Sequence, residues 1–120
     1  MKLKLGDVTM MQQGLTVLLN QPLPIKLSYK LGKLVKIVDE EIQEIENRRI
    51  ELVKKYGVED KEKGTIKVSD ENQDHFMKEY SELLDLDVNL DFEQVDINQL
   101  PDDIKISPQQ LIFLDKIIKQ

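Results

Sequence analysis

Between Ile25 and Tyr56 the apolar residues fall on a single helical stripe: Leu27, Leu31, Leu34, Val38, Ile42, Ile45, Leu52 and Tyr56, with Arg49 in the remaining slot. Steps of three and four residues predict one long amphipathic helix. At 1.5 Å per residue it is roughly 45 Å long. The doubled four-residue step at Val38 and Ile42 breaks a strict heptad and relaxes any left-handed supercoil there. This rod takes more than a quarter of a 120-residue chain. A chain of that size builds one modest core, so shielding the stripe is the main constraint on its fold.

The flanks supply the covering elements. Lys2-Leu3-Lys4-Leu5 alternates like a half-buried strand. Asp7 is placed to cap a helix with Val8, Met11, Leu15 and Leu18 on one side, weakened a little by Gly14. Pro22 and Pro24 end it. Glu44–Arg48 and Glu51–Lys55 are favourably ordered pairs on the long helix, and Gly57 suits its C′ position. Thr65–Val68 reads as a short strand. Ser69-Asp70, with Gln73, opens a helix whose core face is Phe76, Tyr80, Leu83 and Leu84. Val88, Leu90 and Phe92 alternate like a strand that breaks at Glu93-Gln94. Ser107-Pro108-Gln109-Gln110 starts a terminal helix carrying Leu111, Leu114, Ile117 and Ile118. The expected fold is α+β in one domain, 1–120. It comprises a long antiparallel helical hairpin, two further helices and a small antiparallel β-sheet from Leu3–Leu5, Thr65–Val68 and Val88–Phe92.

The second hairpin helix, about 22 Å long, covers about half of the rod. If the first and terminal helices leave the rest open, Leu27, Leu31, Leu34 and Ile37 form an interface, since exposed apolar patches of that size mark partners. The expected partner is a second copy of the chain or another protein. Lys26, Lys30 and Lys33 line one face of the same helix, ahead of Asp39, Glu40, Glu41 and Glu44. That order opposes the helix dipole. A small anionic ligand or an acidic partner is a reading of these lysines beside plain solvation. A net charge of −6 gives no general attraction to nucleic acid or to an anionic membrane.

Chemistry is thinly signalled. Cysteine is absent, and His75 is the one histidine, flanked a turn away by Glu71 and Glu79. A metal ligand or general base has this pattern, and so does a solvated helix face. Asp85, Asp87 and Asp91 lack the spacing of a calcium loop, and no glycine pattern cradles phosphate. We assign no catalytic residue, no metal site and no cofactor. MKLKLGDV lacks a signal-peptide core, and the longest apolar run is Leu111–Leu114. These features point to the cytoplasm.

The run Pro24–Leu31, the later Lys54-Lys55-Tyr56-Gly57 and the tail Ile106-Ser107-Pro108 resemble small uncharacterised proteins encoded by bacteriophages and prophages. The resemblance brings no catalytic residues. It implies a viral setting, in the host cytoplasm or the virion, where such proteins serve as accessories, assembly factors or inhibitors of host defence. The leading expectation is a non-enzymatic interaction protein acting through helix surfaces. Behind it stand a binder or sponge of a small anionic nucleotide signal, and then a metal-dependent hydrolase.

Overall fold

A computed structural model describes residues 1–60 and 62–119. The Ile25–Tyr56 segment is one uninterrupted helix, α2, preceded by strand β1 (Lys2–Lys4) and helix α1 (Leu5–Leu19). It runs from a globular end into a projecting arm. The molecule measures 51 × 31 × 24 Å with a radius of gyration of 17.6 Å, against about 14 Å for a compact domain of this length. Its accessible surface is 8571 Å², where a compact monomer of this mass exposes about 6,700 Å².

The globular end is built on the first half of α2. Val8, Met11, Leu15 and Leu18 of α1 are buried as their spacing predicts, and they share a core with Leu27, Leu31, Leu34 and Val38 of α2. Asp7 is not the cap residue. Its carboxylate accepts the Lys4 backbone N–H at 3.0 Å from within the first turn, so the helix begins three residues earlier than a cap at Asp7 implies. A short helix, α4 (Pro108–Phe113), lies against α1, capped by Ser107 Oγ, which accepts the Gln110 N–H at 3.2 Å. At Gly14 the two helices nearly touch. An added Cβ would sit 2.7 Å from Leu114 Cδ2 and 2.9 Å from the Phe113 carbonyl. Gly14 therefore sets the close approach, rather than only weakening its helix.

The terminal helix is shorter than its periodicity predicts. After Phe113 the chain turns, and Ile118–Lys119 forms strand β6, parallel to β5 (Val95–Asp96). Leu114, Ile117 and Ile118 still reach the core. Leucine and isoleucine at steps of three and one fill a core from a turn as well as from a helix.

The single small sheet is also corrected. The strands form three separate two-stranded ladders: β1 with β4 (Asp87–Asn89), antiparallel; β2 (Gly57–Asp60) with β3 (Thr65–Val68), antiparallel; and the parallel β5–β6 pair. The α+β class and the long helical hairpin hold.

The arm is the second half of α2, the β2–β3 ribbon and helix α3 (Gln73–Leu84), which returns alongside α2. Helix α3 starts later than Ser69-Asp70 predicts, because Asn72 occupies the cap position and its side-chain amide donates to the Tyr56 carbonyl at 3.3 Å. Gly57 is extended rather than left-handed. Its missing side chain makes room instead, since an added Cβ would strike the Val53 carbonyl oxygen and Ile66 Cγ2. Gly64, at φ +64°, supplies the left-handed residue of the ribbon's turn.

The placement of the apolar stripe overturns one expectation. Leu27, Leu31 and Leu34 are 6%, 0% and 3% exposed within the subunit, and Ile37 packs against the same core half-buried. Helix α1 covers this end of the rod, together with Leu90, Val95 and Ile117 of the returning chain. These residues are core, so no free interface exists there.

Candidate interaction surface

Among the described residues, no element covers the side of α2 opposite its buried stripe. Successive side chains turn by about 100°, so Ile25, Tyr29, Lys36, Gln43 and Asn47 run down the middle of this outer face. Lys26, Lys33, Glu40, Glu44 and Glu51 flank them on one side. All ten are solvent-exposed. Ile25 is 83% exposed and Tyr29 67%, the two highest values among the large apolar side chains of the described residues. Beside them Gly32 meets nothing within 4 Å of its Cβ position. Gln43 donates to Asn47 Oδ1 at 3.1 Å, one turn along.

Of the lysines singled out by spacing, Lys30 is tied down. Its ammonium donates to the Gln94 carbonyl at 3.1 Å and lies 3.5 Å from a Glu93 carboxylate oxygen. It anchors the segment between β4 and β5 to α2. Lys33 sits 4.8 Å over the Tyr29 ring. Lys30 and Lys33 share a cleft of about 330 Å³ with Leu34, Ile37, Asp91, Phe92 and Glu93, whose lining excludes Lys26. Asp91 and Glu93 give that cleft two carboxylates, an unfavourable setting for an anion. Lys2 and Lys4 do not extend the stripe. They pair across the β1–β4 ladder with Asp87, at 3.4 Å, and Asp85. The hydrogen bond to Asp85, and then its charge, raise the Lys4 ammonium above its ordinary value. The alternation of acids after Leu84 thus serves cross-strand pairing.

On the arm, Glu79 is held by Lys55 at 3.0 Å, and His75 stacks on Tyr56 with ring centroids 6.1 Å apart. The Lys55 hydrogen bond, followed by one from Tyr56, lowers the Glu79 carboxyl, and Glu79 in turn raises Lys55. Glu46 is likewise lowered by its hydrogen bond to Arg49, and Arg49 raised by Glu46. Of the groups suggested for acid–base or metal work, Glu79 is thus engaged in an ion pair and His75 in stacking on a helix surface, while Glu71 is solvent-exposed. Among the described residues, no three His, Asp or Glu side chains are grouped to hold a metal ion. A groove of about 510 Å³ beside α2 and α3 is lined by Leu52, Leu83 and Leu86 together with Arg48, Glu51, Lys55, Glu79 and Glu82. Among the described residues no helix is long and apolar enough to cross a membrane.

Sequence reasoning singled out the lysines but missed Ile25 and Tyr29. Their signal was present: two large apolar residues one turn apart, on the side away from the leucine stripe. No family model, curated protein or solved structure matches the chain, so its own residues carry the functional reading.

Proposed function

We propose that this chain is a non-enzymatic interaction protein that assembles with itself through helix surfaces. The observation that carries the reading is the α2 rod, which leaves an entire side uncovered, including Ile25 and Tyr29, in a molecule with more surface than its mass requires. The interface is not the leucine stripe, which α1 already fills. It is the outer face of α2. Closed two-fold pairs are the commonest outcome of self-association. In the viral setting that the sequence likeness implies, such assembly serves a virion accessory or an inhibitor of a host protein.

Light scattering on the full chain tests this directly. The reading expects a mass twice the 14.0 kDa of one chain at low ionic strength. A mass of 14.0 kDa at every concentration and salt would overturn it.

A further inference from the structure

We propose that the occupant of the outer face of α2 is a second copy of the chain, lying antiparallel, with the two-fold axis level with Val38 and Asp39. The inference deepens the self-assembly reading and rests on it.

The argument begins with an anomaly of charge order. Along the outer face, Lys26, Lys33 and Lys36 come first, Glu40, Glu44 and Glu51 follow, and one base, Lys54, lies beyond them. In a lone helix this order is unfavourable, because cations near the N-terminus meet the positive end of the dipole. A two-fold partner reverses the effect. In an antiparallel pair the basic half of one helix lies along the acidic half of the other, and residues on the same flank of the two helices meet. With the axis level with Val38 and Asp39, Lys26 faces Glu51 of the partner subunit. Lys33 faces Glu44 of the partner subunit, and Lys36 comes level with Glu41 of the partner subunit, beside Glu40 of the partner subunit. Symmetry repeats each pairing. Tyr29 then meets Asn47 of the partner subunit and Arg48 of the partner subunit, where a guanidinium can lie on its ring.

Neighbouring registers fail this test. Moving the axis to Glu40 sets that glutamate against its own copy and Lys26 against Lys54 of the partner subunit. Moving it one step the other way, between Lys36 and Ile37, keeps a single match, Lys33 with Glu40 of the partner subunit. The chosen register contains no like-charge pair along the outer face. The arms project in opposite directions from the crossing, and Arg48 and Glu51, an ion pair at 3.2 Å that lines the Leu52–Leu83–Leu86 groove, come to face the partner subunit.

The interface is mostly polar, so its affinity depends on salt. The decisive experiment uses two full-length variants, K33E/K36E and E40K/E44K, in light scattering at low and high salt. Circular dichroism checks that both keep the helix content of the parent, as these exposed positions allow. The first variant is acidic through the centre of the face, at 33, 36, 40 and 44, and the second is basic at the same four positions. Each alone is expected at the mass of one chain, with self-association weakened at least tenfold. An equimolar mixture is expected to restore twice that mass at low salt and to fall apart at high salt. If the parent doubles its mass but both variants do so as well, this face is overturned while self-assembly stands. If the variants separate and the mixture does not recombine, the antiparallel register is overturned. If the parent itself stays at the mass of one chain, both readings fall.

Discussion

Leu27, Leu31, Leu34 and Val38, in the first half of α2, are each 6% exposed or less, whereas in the second half only Ile45 is buried to that depth. Ile42, Leu52 and Tyr56 are half-buried, and α3 contributes no fully buried residue at all. The two halves carry the same three-and-four spacing on one continuous helix, except that Arg49 takes one stripe position in the second half. The difference is in what covers them. Helix α1 and the returning chain enclose the first half, while a single amphipathic helix and a two-stranded ribbon lie against the second. Periodicity therefore reports which side of a helix faces inward, and says nothing of how many layers stand outside it. A stripe under one layer gains less from burial, roughly in proportion to the area removed from water.

Truncation at the two ends should break the comparison or establish it. Leu31→Ala removes a side chain with no exposed surface and should cost about 3 kcal/mol in denaturant unfolding. Leu83→Ala on α3, half-buried, should cost about 1 kcal/mol. Equal losses would mean that the arm is as firmly packed as the globular end.

The glycines sharpen the contrast between covered and uncovered faces. Gly14→Ala forces a methyl against Leu114 and the Phe113 carbonyl and should destabilise by about 1–3 kcal/mol. Gly32→Ala meets open space on the same class of element and should stabilise by about 0.5–1 kcal/mol, through helix propensity alone. A loss at Gly32 in high salt would show that something within the subunit occupies that face.

Hydrogen exchange reads the same difference without mutation. Amides of residues 46–56 of α2 should exchange about tenfold faster than those of residues 28–38, because local opening of the arm exposes little apolar surface. Uniform protection along the helix would contradict the two-layer picture.

Acid should have the smallest effect, confined to the arm. Glu46 and Glu79 ionise below their ordinary value, held by Arg49 and Lys55. Their contribution is in place above the unfolded carboxylate range and is lost as pH falls through the lowered values. Because all of these groups are at the surface, the loss is slight. Lys55→Met should remove the pH dependence of exchange in α3 and leave that of α1 unchanged.

The long helix, its inward stripe, the α1 core positions and the Ser107 cap were legible because each rests on local spacing or on one side-chain bond. The end of α4, the three separate ladders and the role of Gly14 were not. Leu111, Leu114, Ile117 and Ile118 satisfy a helical period and a turn-then-strand equally well, and only the pairing of Ile118 with Val95 decides between them. Gly14 reads as a weak helix former until Leu114 arrives on top of it. Leu27, Leu31 and Leu34 were misjudged as an interface because sequence reveals a stripe but not its cover. The outer face had a visible signal in Ile25 and Tyr29, which helical phase sets apart from the core.

Strand β1 meets β4, α1 meets α4, and β5 meets β6, so the chain leaves the globular end along α2 and re-enters it at β4. Most of what lies between is a detour in which α2, the β2–β3 ribbon and α3 contact one another, with the end of α3 also touching α1 at Gly6. The base of that detour, by contrast, is tied by backbone hydrogen bonds that join Met1 to Leu90, and loop closure on that scale is slow. Closing that base carries the largest loop-closure cost in the chain, so deletions matched in α2 and α3 would shorten the arm turn by turn while leaving the ties at its base in place.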